Sequence, residues 1–266
     1  MYFSIIINIH NQHQTIERCI KSCLQQTFQK KYEIIIVDTS KKKLNNNFKL
    51  FKSKKIKYFH FNCFSNFPEI NQIHKISKGL IKAKGKWICL LDGDDFFDKN
   101  KLNYIYDNYD LKKKIVIQDN CFIYLEKYKK KILNKNKFYK KFTLYNNIIS
   151  FWPEIYGTSC ISGSNNVLKS FFKKTSTTKW NFIAIDALLI LYATNKNLIK
   201  NCNKLLTLKS VNDNNLSLKY NFYTKLYWDR RNQQIDFWEG LSGRKIYNFD
   251  KVLSRFINLI NKSISV

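Results

Sequence analysis

Four short apolar runs constrain this chain more than anything else in it. Residues 2–9, 32–37, 56–61 and 87–91 are rich in Ile, Val, Phe, Tyr and Trp, and each is too short for a core helix. In the first, second and fourth the apolar residues follow one another with little alternation, the pattern of strands buried on both faces, and 56–61 reads as a third strand. Between the first two runs, Ile16, Cys19, Ile20, Cys23 and Leu24 recur at threes and fours. They predict an amphipathic helix over 16–26, with Thr15 placed to cap it. Residues 41–54 are rich in Lys and Asn and read as a loop or a weak helix. Ile70, Ile73, Ile76, Leu80 and Ile81 predict a second helix that stops near Gly85. Such alternation calls for parallel strand–helix–strand units and an α/β sheet. Ligands of such sheets bind beyond the carboxyl ends of the strands. There the sequence places His10-Asn11, Asp38 and the run Asp92-Gly93-Asp94-Asp95.

The second half is less regular. Residues 102–109, 144–151 and 185–193 read as helices, 115–118, 121–125 and 205–211 as strands, and 161–164 as a turn. Beyond residue 215, aromatic and basic helices run through Trp228, Trp238 and Phe256. No internal repeat or clean linker breaks the chain. The expected organisation is one domain over 1–215, halved at 98/99, with a helical extension over 216–266.

Composition closes off other classes. At 266 residues, with 44% hydrophobic and 16% aromatic residues, the chain has ample material for a core and is not disordered. No apolar run reaches the roughly 18–20 residues of a membrane span, and the start lacks the marks of a signal peptide. The formal net charge is +28, yet only five basic residues are Arg. Such a surface attracts anions, but no zinc-finger or RNP motif supports a nucleic-acid partner. Seven Cys without a C-x-x-C pair read as reduced thiols of a cytoplasmic protein, with Cys19 and Cys23 as core residues. Four His without H-x-x-x-H spacing argue against a zinc site.

The chemistry concentrates in acidic residues. Asp92, Asp94 and Asp95 crowd three carboxylates into four residues after an apolar strand. Like charges so close raise one another's pKa, and a divalent cation relieves the conflict. Manganese or magnesium bridging Asp94 and Asp92 to a diphosphate is one use of such a cluster. An acidic turn, with Asp95 capping the next segment, is the plain structural alternative. A strand followed by D-x-D also fits an aspartate-nucleophile phosphatase with Asp92 attacking phosphorus, although Phe96-Phe97 and the late position of the strand fit it poorly. Asp186 stands alone in the apolar stretch 182–193. Burying it is costly without a partner, so it is either a helix cap or a general base.

At this point a resemblance emerges. SIIINIHNQHQTIERCIKSCLQQTF, YEIIIVDTS and GKWICLLDGDD resemble, in order and spacing, the inverting family 2 glycosyltransferases of the GT-A fold. The likeness covers residues 1 to about 100, thins to 180, and returns at Ser162-Gly163, Asp186 and the DNNLS of 213–217. It implies a Rossmann-like, mostly parallel central sheet flanked by helices. It also implies transfer of a sugar from a nucleotide diphosphate, a UDP-sugar favoured, to a glycan or lipid-linked glycan. By the same resemblance Ile9, His10, Asn11 and Asp38 are base and ribose contacts, and Asp92, Gly93 and Asp94 the donor and metal loop. Asp186 is the catalytic base. The chain departs from the family where Asn8 replaces Pro, His10 replaces Tyr and Thr39 replaces a second Asp. It departs again where 209–212 lacks the family's His, leaving Asn212 or Lys209 as substitutes. A non-catalytic basic binding module on the same fold is a further alternative.

The tail adds two expectations. Arg230 and Arg231 suit a diphosphate clamp, or else stand solvated on a helix whose tryptophans are buried. Phe249, Val252, Leu253, Phe256, Ile257, Ile260 and Ile264 share one side of a helix. That side is expected to pack on the domain, with an acidic membrane surface as the alternative.

Overall fold

The computed structural model describes residues 1–44, 49–133, 155–175, 179–211 and 219–264. The four apolar runs form β1 (Phe3–Ile9), β2 (Tyr32–Asp38), β3 (Ile56–His60) and β4 (Trp87–Asp92). The expected helices between them are α1 (Ile16–Leu24) and α2 (Pro68–Lys82). Thr15 sits at the cap position of α1 but does not cap it. Its hydroxyl donates instead to the Gly93 carbonyl at 2.9 Å, tying the helix to the acidic loop. A short 3-10 turn, Lys49–Lys52, lies within the expected loop.

The strands pair in the order β3-β2-β1-β4, all parallel. Ile5, Ile7 and Ile9 join one apolar cluster with α1, whereas Ile6 joins another on the opposite face with α2. This two-sided burial is why the strands read as unbroken apolar runs. α2 lies close to the sheet at Gly79, where a Cβ would stand 2.6 Å from Ile6 Cγ2.

Beyond β4 the sheet continues with β8, β6, β9 and β5, and becomes mixed. β5 is Phe96–Phe97, α3 is Lys101–Asn108, β6 is Val116–Leu125 and β7 is Lys130–Leu133. β8 is Ile161–Ser164, α4 is Asn165–Lys174, α5 is Ile185–Asn195 and β9 is Ile199–Val211. Two expectations are corrected. The turn at 161–164 is a strand, antiparallel to both β4 and β6. The two strands at 115–118 and 121–125 are one strand, whose register against β9 slips around Asp119 and Asn120. Asp119 causes the polar break in the sequence. It is fully buried and pairs with Lys101 at 2.8 Å, while Thr207 also donates to it. The expected helix at 144–151 lies outside the described residues.

The extension comprises α6 (Lys225–Ser242) and α7 (Phe249–Ile264). α6 buries Trp228, Ile235 and Phe237, and Asn195 donates to the Leu241 carbonyl at 3.2 Å. α7 does not pack as expected: its polar side faces α6 and much of its apolar side faces outward.

Candidate active site

Parallel register builds the site. Ile9 pairs with Asp38, Asn8 with Asp92 and Asp38 with His60, so the ends of four strands share one edge. The carboxylates that end β2 and β4 therefore stand one strand apart on either side of β1. Each is held in place. Asp38 is fully buried and accepts from Tyr58 Oη and the Ser40 amide, both at 2.7 Å. Asp92 Oδ1 accepts from Asn8 Nδ2 at 2.7 Å and Gln72 Nε2 at 2.9 Å.

The loop after β1 closes over this edge. The Ile9 side chain lies in the core and its carbonyl accepts from the Thr39 amide at 3.1 Å, so only its backbone reaches the edge. His10 is exposed, with Nδ1 2.9 Å from the Thr39 carbonyl. Asn11 adopts φ 59°, a left-handed conformation that Asn tolerates, and its amide donates to Ser40 Oγ at 2.7 Å.

The acidic loop after β4 is pinned from several directions. The Gly93 amide donates to the Asn8 carbonyl at 3.1 Å, and a Cβ on Gly93 would stand 2.7 Å from Gln12 Oε1. Asp95 is buried, accepting from Ser159 Oγ at 2.6 Å and from the Ser210 amide at 2.8 Å. It joins this loop to β9. Arg18 donates to the Asp94 carbonyl and to Ser210 Oγ, pairs with Glu126, and lies over the rings of Phe96 and Tyr124. Asp94 is held through its main-chain carbonyl, which also accepts from Ser210 Oγ at 2.6 Å. Burial and the neighbouring Asp92 push the Asp94 carboxyl up to about 6, against the pull of Lys209 and Gln12.

Asp186 is not the cap residue of α5. That position is Ala184, and Asp186 occupies the first turn, accepting from the Ala187 amide at 2.7 Å. Burial raises its pKa, with Lys209 and Arg230 opposing and Asp92 adding to the rise. Asp92 thus acts electrostatically on Asp186, although it lies 94 positions earlier in the chain. Lys209 lies between carboxylates. Burial alone would lower its ammonium, but Asp95 and Asp186 hold it above the ordinary value. Gly157, at φ 105°, leaves room for it, since a Cβ there would meet Lys209 Nζ at 2.5 Å.

The two arginines of α6 are not solvated. Arg230 donates to the Phe182 carbonyl at 2.7 Å and pairs with the buried Glu69 at 3.0 Å. Arg231 pairs with Asp250 at 2.6 Å. Asn212 and the DNNLS segment lie outside the described residues.

Lys75 was missed by sequence reasoning. It is 4% exposed, on α2, and makes no hydrogen bond or ion pair with another described residue. Burial pulls its ammonium down to about 8, against the opposing pull of Asp92, Asp38 and Asp94. The signal was present: Gln72, Lys75 and Gly79 form a stripe beside the apolar Ile73, Ile76 and Leu80. A polar stripe next to a core stripe marks a helix face turned to a site.

A basic residue and a set of fixed carboxylates at the carboxyl edge of an α/β sheet suit a nucleotide-bound substrate. The family model described as glycosyl transferase family 2 matches residues 4–172, and the chain belongs to that family. The "Amylovoran biosynthesis glycosyltransferase AmsB" of Erwinia amylovora is 26% identical over 100 residues, 38% of this chain and 33% of that protein. An uncharacterized glycosyltransferase of Haemophilus influenzae is 34% identical over 115 residues, 40% of this chain and 43% of that protein. The matches thus take in less than half of either relative's length. Among solved structures, S. aureus TarS 1–349 in complex with UDP aligns with a TM-score of 0.60 at 15% identity, covering 89% of this chain and 65% of that one. The TarS complex with UDP-GlcNAc aligns with a TM-score of 0.59 at 15% identity, covering 89% and 66%. The expected α/β architecture is shared with these proteins.

Proposed function

We propose that this protein is an inverting glycosyltransferase that moves a sugar from a UDP-sugar to a hydroxyl of a glycan or lipid-linked glycan. The observation that carries the reading is the parallel register that sets Asp38 and Asp92 at one sheet edge, with Asp94 in the loop that follows and the buried Lys75 within electrostatic reach of all three. The UDP and UDP-GlcNAc bound in the TarS structures support the donor class. The name of the Erwinia relative supports a surface polysaccharide as product.

In this reading residues 1–98 bind the donor, residues 99–215 shape the acceptor side, and 216–266 extend the domain. His10, Asn11, the Ile9 backbone and Asp38 line the nucleoside end, with Lys75 donating to its acceptor groups. Asp92 and Gly93 bracket the ribose and diphosphate. Asp186 takes the proton of the acceptor hydroxyl. The freed oxygen attacks the anomeric carbon from the face opposite the diphosphate, whose bond to that carbon breaks, and the configuration inverts. Lys209 stabilises charge on the departing diphosphate.

Among the described residues, no group of three or more His, Cys, Asp or Glu gathers to hold a metal ion. The donor set nevertheless fits a magnesium-like cation, which uses one or two carboxylates and takes its other oxygens from phosphate and water. Asp94 is desolvated beside Asp92, and its raised pKa marks negative charge that a cation would relieve. Asp94, with Asp92, would hold manganese or magnesium, which would supply positive charge against the leaving diphosphate.

The test is thermal unfolding with UDP, GDP, CDP and dTDP, each with and without manganese, on wild type and Asp94→Asn. A ligand at a hundredfold excess over Kd stabilises by about 2.7 kcal/mol. A manganese-dependent rise with UDP, absent in the variant, is expected. No rise with any nucleotide overturns the donor site and favours a non-catalytic module. Release of phosphate from a phosphomonoester through a phosphoryl-Asp92 favours the phosphatase.

A further inference from the structure

α7 is an amphipathic helix packed the wrong way round for a core. Its polar side faces α6: Asp250 pairs with Arg231 at 2.6 Å, Lys251 with Glu239 at 2.6 Å, and Arg255 with Asp236. Asn232 of α6 donates to the Ser254 carbonyl at 3.0 Å, and Ser254 is fully buried. The opposite side carries Phe249, Val252, Phe256, Leu259 and Ile260, exposed by 63, 67, 61, 64 and 41%. Their spacing of i, i+3, i+7, i+10 and i+11 sets them in one stripe. Leu253 and Ile257 are half-buried at its margin. Because ion pairs hold the polar side, the outward apolar stripe cannot turn inward without breaking them.

We propose that this stripe docks α7 flat on an anionic lipid surface. Charge decides between occupants. The chain carries a formal net charge of +28, so a second copy would bring like charge against like, whereas an anionic bilayer is complementary. The turn entering α7 adds what an interfacial helix uses. Arg244 and Lys245 are exposed, and Tyr247, 86% exposed, precedes Phe249. Sixteen residues span about 24 Å of helix, short of a bilayer core. Among the described residues no helix is long and apolar enough to cross a membrane, so α7 lies on the surface. The proposal is independent of the donor-site reading, because binding is read without catalysis.

The experiment is sedimentation of the full chain with vesicles of phosphatidylcholine alone, or with about a third phosphatidylglycerol, at low and high salt. Wild type is expected on the anionic vesicles only, and less so at high salt. Phe249→Gln/Phe256→Gln, at exposed positions, is expected to unfold at the wild-type temperature and to partition at least tenfold less. A second readout keeps the proposal falsifiable whatever that variant does. Val252→Cys, labelled with a polarity-sensitive dye in a Cys63→Ser background, should shift to shorter wavelength on anionic vesicles. Undiminished binding by the double variant, or an unshifted dye on vesicle-bound protein, would mean lysine attraction alone and overturn the proposal. A wild-type dimer dissolved by the double variant, with no vesicle binding, would assign the stripe to a second copy and overturn it too.

Discussion

Lys75→Met separates binding from stability, because the two should move in opposite directions. The wild-type side chain is buried and makes no hydrogen bond with another described residue, and its pKa falls from the ordinary 10.5 to about 8. At about 1.4 kcal/mol per tenfold change in proton affinity, the charged form is strained by roughly 3 kcal/mol at pH 7. The sign follows from linkage. Below about pH 8 both folded and unfolded chains hold the proton, and the folded chain bears the whole penalty. Between about 8 and 10.5 the folded chain releases the proton first, and above 10.5 both are neutral and the penalty is gone. Methionine fills similar space without charge, so the variant should be more stable at pH 7 by up to about 3 kcal/mol, several degrees in Tm. That gain should fade as pH rises through the window. UDP binding should weaken roughly 10- to 100-fold, the loss of a hydrogen bond from a charged donor. Urea unfolding at pH 7 and 10, with calorimetric titration of UDP, reads both quantities. A variant less stable at pH 7 that binds UDP like wild type would refute the reasoning and leave Lys75 a packing residue.

Four further outcomes are expected. Asp186→Asn should lower kcat by about 10²–10⁴-fold while UDP affinity stays, read by steady-state kinetics and calorimetry. In wild type the acid limb of kcat should lie above the ordinary aspartate range, since burial raises Asp186, and Lys209→Met should move that limb higher by removing an opposing cation. Lys101→Met should cost about 3–5 kcal/mol in urea unfolding by stranding the buried Asp119, and Lys101→Met/Asp119→Leu should recover much of that loss. Gly85→Ala should destabilise by about 1–3 kcal/mol or more, because its Cβ would stand 2.4 Å from the Ser4 amide nitrogen and 2.5 Å from the Phe3 carbonyl carbon.

The contrast between the two halves of the chain has a physical source. β1, β2 and β4 were legible because burial on both faces leaves a nearly unbroken apolar run, and the edge they share with the half-buried β3 followed from parallel topology alone. The sequence pattern alone therefore brings Asp38 and Asp92 to one edge. β8 was not legible: Ser162, Gly163 and Ser164 have the composition of a turn. Yet Gly163 is needed inside a strand, where a Cβ would stand 3.1 Å from the Ile115 carbonyl and 3.2 Å from Val116 Cα. β6 looked broken because Asp119 is polar, and its partner Lys101 is 18 residues away on α3. Lys75 was hidden among many surface lysines, although its stripe with Gln72 and Gly79 marked the face.

α7 sharpens the point, since its helical period was read correctly and its direction was not. Periodicity shows that a helix has an apolar side. It does not show which side meets the protein, because that depends on what the neighbouring element offers. α6 offers Arg231, Glu239 and Asp236, and three ion pairs with α7 turn its polar side inward. Arg231 suits a diphosphate clamp by residue type, but its partner Asp250 lies on α7. Arg231 is therefore neither a clamp nor solvated, and the apolar stripe is not turned to the core. A single fact of packing, the polar seam between α6 and α7, corrects both.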